Sequence, residues 1–222
     1  ACRFAPSDFD PKRTWTDLEA HLPRLSSERH RANLQTVSDH SRGEVERDLD
    51  LILGTLQDDA KYHFWSWRET DDAPKGNANI RAYYEYYVTS GQACIESRKV
   101  RVAVGDEVVS TEGVITNIHA GEIAAMYGFR IDEKDAVYAT RMRNMVLWSM
   151  DEHAKAHGED AYTWRNPDDF VLTLALQPLG GVRTRQRAAL FPPPVGVGVG
   201  NQGHPVEEGR NHLGVGRGVP LE

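Results

Sequence analysis

Cysteine is scarce in this chain: only Cys2 and Cys94 occur among 222 residues. Two cysteines cannot form a disulfide framework or a four-cysteine zinc site, so we expect a reducing, cytoplasmic setting. Basic residues are also few, because 26 Lys and Arg stand against 33 Asp and Glu, whereas nucleic-acid-binding surfaces carry a basic excess. No apolar run approaches the roughly 18 residues that a membrane span needs. We therefore expect neither nucleic acid nor a membrane as a partner.

Several motifs of cofactor-dependent and metal-dependent enzymes are missing as well. The chain has no P-loop, no G-x-S-x-G nucleophile elbow and no H-E-x-x-H metal motif. His153 and His157 are four residues apart, but they fall in a predicted turn and do not form a metal-binding pattern. We expect no organic cofactor and no metal.

Glycine and proline concentrate toward the carboxyl end. Residues 180–222 contain 10 of the 19 glycines and 5 of the 11 prolines. Such a stretch cannot bury enough apolar surface to offset its chain entropy, so we predict a flexible tail. Residues 1–25 are a second predicted extension, in which Trp15, Leu18 and Leu22 have the spacing of a short helix. Residues 26–179 are then the globular domain.

Within that domain, hydrophobic periodicity predicts helices first and strands afterwards. Helical spacing covers residues 26–38, 44–56 and 77–91, with a break at 39–43. Strand patterns cover residues 60–67, 93–104, 107–119, 136–150 and 157–164. Gly105-Asp106 is a hairpin turn between two of these strands. Helices that are grouped before hairpin-joined strands indicate an α+β fold.

Three stretches, taken in order, carry a family resemblance. The first runs from Gly43-Glu44 to Tyr62-His63, the second is Ile118-His119-Ala120-Gly121-Glu122-Ile123, and the third joins Leu147-Trp148 to Gly158-Glu159-Asp160-Ala161-Tyr162. Over about residues 27–170 they resemble the SnoaL-like group of the nuclear transport factor 2-like superfamily. The resemblance implies a cone-shaped α+β barrel. In such a fold three helices pack on a strongly curved antiparallel sheet that encloses one pocket.

The resemblance also indicates which side chains face the pocket. Ketosteroid isomerases of the superfamily carry a catalytic Asp at the position that matches Phe64, and its epoxide hydrolases carry a pocket Tyr at the position that matches Tyr62. Because strand residues alternate, Tyr62 and Phe64 are predicted to face inward, and His63 and Trp65 outward. A β-bulge in this strand would reverse that prediction.

The same alternation, carried along the other strands, gives a candidate site. The predicted catalytic residues are Tyr62, His119, Asn144 and Glu159. Asn144 matches the position of the oxyanion-stabilising acid of ketosteroid isomerases. The predicted ligand-binding residues are His40, Phe64, Tyr83, Tyr87, Asn117 and Trp148. Aromatic residues and single histidines at such spacings are more often parts of a core, and this alternative stays open.

These expectations favour a pocket for a small, apolar, oxygen-bearing molecule and a lyase, isomerase or cyclase that uses acid–base chemistry. Tyr62 and Asn144 would polarise a carbonyl group, and His119, assisted by Glu159, would move a proton. The alternative is a non-catalytic ligand-binding or dimerisation module of the same fold. In either case the resemblance implies a homodimer, and the outward-facing Arg98, Arg141 and Arg143 suit a mixed interface on the outer sheet face.

Overall fold

The computed structural model describes residues 9–65, 73–127, 129, 131–134, 136–164 and 171–174. The predicted tail lies outside these residues, and the predicted division into extension, domain and tail stays a prediction. The helices of the described part are α1 (Arg13–Glu19), a 3-10 helix (Leu22–Arg24), α2 (Glu28–Glu46), α3 (Leu49–Gly54), α4 (Asn77–Thr89) and α5 (Gly121–Met126). Its strands are β1 (His63–Trp65), β2 (Ile95–Val104), β3 (Val108–Ala120), β4 (Val137–Ser149), β5 (Asp160–Trp164) and β6 (Val171–Leu174).

Helix α2 runs straight through residues 39–43, where the sequence predicts a break. It begins at Ser27, whose hydroxyl accepts a hydrogen bond from the backbone N–H of His30 at 3.3 Å. The single glycine in its interior, Gly43, costs about 1 kcal/mol of helix propensity, which packing readily offsets. A Cβ on Gly43 would lie 2.8 Å from the Ile52 side chain, so the glycine allows α3 to pack closely against α2. The break comes later, at Arg47, which has a left-handed backbone with φ of 63°.

The sheet is mixed and open. Its strands follow the order β1-β5-β4-β3-β2, and β6 also pairs with β4. All neighbouring pairs are antiparallel except β1 and β5, which are parallel. The α+β class is confirmed. Over the described strands, however, the sheet is mixed rather than wholly antiparallel, and the expected strong curvature is not found. Strand β1 is joined to β5 through two helices and three strands rather than through a hairpin, so the connection does not force an antiparallel pairing.

A β-bulge divides β2 into two halves that present opposite sets of residues to the helices. The pairing with β3 shifts register between Lys99 and Arg101. Before the bulge, Ile95, Ser97 and Lys99 face the helices; after it, Val102 and Val104 pack against the core. Val100 lies at this shift and is 59% exposed. A bulge inserts one residue and so reverses the alternation of the residues that follow it.

The main hydrophobic core lies between the helices and the inner face of the sheet. Leu18, Leu34, Ile52, Ile80 and Val109 are completely buried there. Helix α1 belongs to this core, and it is also tied to β2 by hydrogen bonds. The backbone N–H of Ser97 donates to Thr14 Oγ1 at 3.1 Å, and that of Lys99 donates to Asp17 Oδ2 at 3.0 Å.

A second apolar cluster lies beyond the far end of β3 and β4. Ala124 of α5 packs there with Phe129, Tyr138 and Met142. Across the part of the chain that the structure describes, no helix has both the length and the apolar content to cross a bilayer.

Candidate functional site

A cavity of about 400 Å³ lies between the helices and the inner face of the sheet. Its volume falls within the range of roughly 300–1,000 Å³ that is usual for small-molecule sites. Five aromatic side chains contribute to its wall: Phe64, Tyr83, Tyr87, Tyr127 and Trp148. Its charged and amide-bearing side chains are Glu44, Lys99, Asn117, Asn144 and Glu159, and hydroxyl groups such as that of Thr163 also border it. This is the composition of a site for an apolar molecule that carries a few oxygen atoms.

Behind Glu44 and Glu159, three further polar side chains complete a buried group that we call the tyrosine–carboxylate cluster. Its members are His40, Glu44, Tyr62, Tyr84 and Glu159. The Tyr84 hydroxyl lies at its centre, 2.9 Å from His40 Nε2, 3.1 Å from Glu44 Oε1, 3.1 Å from the Tyr62 hydroxyl and 3.4 Å from Glu159 Oε1. His40 Nε2 also lies 3.1 Å from Glu159 Oε1. Protons can therefore pass among all five groups by short steps.

Local structure explains why these side chains meet. Because α2 is continuous, His40 and Glu44 are one turn apart and point to the same side. Tyr84 lies one turn after the buried Ile80 in α4. Glu159 follows Gly158, which has a φ of 141° and approaches Lys61 so closely that a Cβ would be 1.7 Å from the Lys61 carbonyl oxygen. Only glycine fits there, and the backbone N–H of His63 then donates to the Glu159 carbonyl at 2.7 Å.

The orientation of the His40 ring is fixed by Thr55. The Thr55 hydroxyl donates its single proton to the Ile52 carbonyl at 2.6 Å. Toward His40 Nδ1, 2.7 Å away, it can only accept, so we assign the N–H to Nδ1. Nε2 consequently faces the cluster, where it accepts a proton when His40 is neutral and donates one when His40 is charged. Such a fixed tautomer is what a proton-transferring histidine requires.

Burial and mutual repulsion set the charges of the cluster. Burial and then the negative charge of Glu159 raise the pKa of Glu44 to about 7. Burial alone would lower the pKa of His40, but the hydrogen bond and charge of Glu159, together with Glu44, raise it above its ordinary value. Burial and the charge of Glu159 raise the pKa values of Tyr62 and Tyr84 well above their usual range, so both remain hydrogen-bond donors. The cluster thus holds an exchangeable proton near neutral pH.

The same group is the place where the described residues could share a cation. Ligand atoms of His40, Glu44 and Glu159 lie within 4.8 Å of one another. However, the Tyr84 hydroxyl already contacts all three atoms, and His40 Nε2 lies within hydrogen-bond distance of Glu159. The hydrogen bonds therefore satisfy these groups without an ion, and we interpret the cluster as a proton-sharing network.

Most of the sequence-predicted site residues lie at or next to the cavity. Phe64, Tyr83, Tyr87, Asn117, Asn144, Trp148 and Glu159 line it. His40 and Tyr62 lie just behind Glu159 and are completely buried. The predicted alternation of β1 is also found: Phe64 borders the cavity, whereas His63 stacks on the exposed Trp65 on the other side.

The pairing of His119 with Glu159 is incorrect. The strand register puts His119 opposite Tyr138, and Glu159 precedes Asp160, which pairs with Leu147. The β4 residues opposite His119 and opposite Glu159 are therefore about ten residues apart, or on the order of 30 Å. His119 Nε2 instead lies 3.1 Å from the Thr140 hydroxyl. Burial lowers the pKa of His119 to about 4, so it stays neutral at physiological pH, and the histidine partner of Glu159 is His40.

Tyr62 and Asn144 do not meet at one carbonyl group either. Tyr62 precedes His63, which pairs with Asp160, whereas Asn144 pairs with Thr163. Four residues of strand, about 13 Å, separate the two positions. Asn144 therefore serves the opposite end of the cavity from the tyrosine–carboxylate cluster.

That opposite end has a polar row of its own. Lys99 pairs with Gly113, Gly113 with Asn144, and Asn144 with Thr163, so the three side chains lie in one line across the sheet. A Cβ on Gly113 would lie 2.1 Å from the Arg98 carbonyl oxygen, so the glycine allows the backbone of β2 to pack closely against β3 at this point. The Lys99 ammonium donates to Ser97 Oγ at 2.7 Å. Burial lowers the pKa of Lys99 to about 8, although Glu44, Asp17 and Glu159 oppose the shift.

Sequence reasoning missed Glu44, Tyr84 and Lys99. A predicted break at residues 39–43 removed Glu44 from the face that carries His40. Tyr84 had a detectable signal, because it is four residues from Ile80 on the predicted helix. Lys99 had a weak one, since it alternates with Ile95 and Ser97, but the bulge that follows it obscured the pattern.

Comparison with known proteins gives similarity at the level of structure. No protein-family model matches the chain, and no curated protein matches it. A protein from Jannaschia sp. CCS1 named as a SnoaL-like polyketide cyclase is 14% identical, with a TM-score of 0.49 over 63% of this chain and 90% of that chain. Bal32a, from a soil-derived mobile gene cassette, is 12% identical, with a TM-score of 0.47 over 62% of this chain and 92% of that chain.

A third similar structure is SalBIII, an epoxide hydrolase/cyclase-like enzyme of pyran ring formation in the polyether salinomycin. It is 14% identical, with a TM-score of 0.44 over 60% of this chain and 90% of that chain. The name SnoaL-like, given to the protein from Jannaschia sp. CCS1, is that of the group that the sequence motifs resemble. Similarity at this level of identity concerns the fold alone.

Proposed function

We propose that the chain binds a small, largely apolar, oxygen-bearing molecule in the cavity and moves a proton on it through Glu159. The observation that carries this proposal is the tyrosine–carboxylate cluster, which opens onto an aromatic cavity through Glu44 and Glu159. Polar groups that converge on an apolar pocket, with a carboxyl pKa moved toward neutrality, are typical of acid–base catalysis.

In the proposed reaction the Glu159 carboxylate touches the substrate and takes a proton from carbon next to a carbonyl group. His40 and the Tyr84 hydroxyl hold Glu159 by hydrogen bonds at 3.1 and 3.4 Å, so the carboxylate is already oriented before the substrate enters. The proton can then move to His40 or Glu44 and return at another atom. The result would be an isomerisation, a cyclisation or an elimination, without an organic cofactor.

The opposite end of the cavity would hold a second oxygen atom of the substrate, remote from the carbon that loses its proton. Asn144 offers an amide N–H that can donate a hydrogen bond to that oxygen. The two polar ends are about 13 Å apart along the strands, which suits a molecule of two or more fused rings with oxygen atoms at both ends. The buried indole Nε1 of Trp148 has no hydrogen-bond partner among the described residues, and a ligand oxygen that reached it would satisfy it.

The alternative of a non-catalytic ligand-binding or dimerisation module uses the same cavity without chemistry. The two functions are separated by one experiment. The protein is mixed in D₂O with 6-hydroxy-1-tetralone, which has a carbonyl group at one end and a hydroxyl at the other. Calorimetry measures binding, and mass spectrometry measures exchange of the hydrogens next to the carbonyl group.

We expect micromolar to millimolar binding together with exchange that is faster than in buffer. A cavity-filling Ala161→Leu variant should lose both, and His63→Gln, on the other side of β1, should lose neither. Binding without exchange would favour the non-catalytic module. The pocket proposal fails if the Ala161→Leu variant binds 6-hydroxy-1-tetralone as tightly as the wild-type protein does, and if both proteins bind the hydrocarbon analogue tetralin with the same affinity as this ligand.

A further inference from the structure

We infer that Lys99 is a carbonyl-capturing amine, and that the cavity takes aldehydes or ketones that form an imine with its Nζ. This inference rests on the proposed function in one respect, namely that the cavity is the ligand site. It adds a covalent step and a substrate class that proton transfer through Glu159 does not require.

The fold holds Lys99 in place at the edge of the cavity. Lys99 is the last cavity-facing residue before the bulge in β2, after which β2 turns Val102 and Val104 into the core. Its backbone N–H is held by Asp17 Oδ2 at 3.0 Å, so the residue is fixed from α1. Bulges often re-aim a side chain at a functional site. Lys99 is the one cation among the described residues that line the cavity.

Asn144 is the next side chain to Lys99 in the polar row, because Gly113 between them has none. The two residues are about 10 Å apart from backbone to backbone across two strands, and both border the cavity. A carbonyl group in the cavity between them would have the amine on one side and the Asn144 amide N–H on the other. The amine thus faces an electrophile whose oxygen is already held.

Glu44 can supply the protons that the reaction needs. Its carboxyl borders the same cavity, its charge acts on Lys99, and it holds its proton near neutral pH. The charged groups that act on Lys99 are Glu44, Asp17 and Glu159, and its direct partner is the uncharged Ser97 hydroxyl. With a pKa of about 8, the amine is neutral at pH 7.5 about two hundredfold more often than one with the ordinary value of 10.5.

The step balances without any redox partner. The neutral Nζ attacks the carbonyl carbon and forms the C–N bond, while Glu44 transfers a nitrogen proton to the oxygen. The hydroxyl then leaves as water, taking the second nitrogen proton by the same route. One C=O bond is replaced by one C=N bond, and one water is released.

The test uses 6-hydroxy-2-naphthaldehyde as the probe, with sodium cyanoborohydride to reduce any imine to a stable amine. The full chain is treated at pH 7.5, and peptide mass mapping compares labelling at its six lysines. We expect Lys99 to be labelled at least tenfold faster than exposed lysines such as Lys61, and 6-hydroxy-1-tetralone to compete with that labelling. Lys99→Arg should abolish the labelling of this peptide, whereas Lys61→Arg should not change the rate at Lys99.

Calorimetry with the same aldehyde separates two kinds of failure. If the aldehyde binds the Lys99→Met variant and the wild-type protein in the cavity, yet Lys99 is labelled no faster than Lys61, the amine inference is overturned and the proposed function stands. If the aldehyde neither binds nor labels Lys99, both are overturned. A slower reaction in Asn144→Ala, with unchanged labelling at Lys61, would support the arrangement of the amine and the amide around one carbonyl group.

Discussion

The half-buried carboxyl of Glu44 should make the stability of the protein depend on pH in a way that one substitution removes. Glu44→Gln keeps the size of the side chain and an oxygen that accepts from the Tyr84 hydroxyl, but it cannot ionise. The pKa of Glu44 rises from its ordinary 4.5 to about 7 in the folded protein, so the folded state holds this proton more tightly than the unfolded state. The stability contributed by Glu44 is therefore full below pH 4.5 and is lost as the pH rises through about 7.

The magnitude follows from the two pKa values. A rise from 4.5 to about 7 corresponds to about 3 kcal/mol at most. Because Glu44 is only half-buried and borders the cavity, solvent screening reduces this figure, and we expect about 1–2 kcal/mol. Glu44→Gln should equal the wild-type protein in stability near pH 4 and exceed it by that amount near pH 8. The groups that face Glu44 are His40, Glu159, Tyr84 and Lys99, and all of them remain in the variant.

Urea denaturation at constant ionic strength between pH 4 and pH 8.5 measures the effect. The matched control is Glu152→Gln, since the Glu152 side chain is 83% exposed. Identical pH profiles for Glu44→Gln and the wild-type protein would show that Glu44 is solvated. The description of the tyrosine–carboxylate cluster would then be refuted.

Three further predictions concern structure. Tyr84→Phe removes the hydroxyl at the centre of the cluster and should cost about 1–3 kcal/mol in thermal denaturation; an unchanged melting temperature would show that the hydroxyl is not a shared partner. Gly158→Ala should cost roughly 3 kcal/mol or prevent folding, because its Cβ would collide with the Lys61 carbonyl, and a well-folded variant would rule out this backbone path. Trp65 and Tyr162 are 46% and 39% exposed, and their rings stack at 6.5 Å on the outer sheet face. Such an exposed aromatic pair favours a homodimer, so light scattering should show a dimer that Trp65→Lys dissociates. A monomeric wild-type protein would contradict this prediction.

Much of the fold can be predicted from local patterns, as particular elements show. The Gly105-Asp106 turn and the strands on either side of it are found within one or two residues of the predicted bounds. The alternation of β1 correctly separates Phe64 from His63. The failures come from interactions that are distant in sequence. The β1–β5 pairing joins residues about a hundred positions apart, and helix α5, with only six residues, is too short for periodicity to reveal.

The candidate site shows the same limit more sharply. Alternation tells which face of the sheet a residue occupies, but it does not tell how far along the strand that residue lies. His119 and Glu159 were assigned to the same face, yet the register separates them by about ten residues. His40, assigned only to ligand binding, becomes the partner of Glu159 because α2 continues past it and brings Glu44 alongside. A single glycine in a helix was read as a break, although packing against Ile52 stabilises the continuous helix.

The exchange of hydrogens next to the carbonyl group of 6-hydroxy-1-tetralone, compared between the wild-type protein and Glu159→Gln, tests the central claim most directly. Gln keeps the shape of the side chain and can still accept from His40 and Tyr84, but it cannot take a proton from carbon. We predict exchange on the order of a hundredfold slower or more in the variant, with ligand affinity nearly unchanged, since this is the usual effect of losing a general base. Equal exchange rates at equal occupancy would contradict the assignment of proton transfer to Glu159 and the tyrosine–carboxylate cluster.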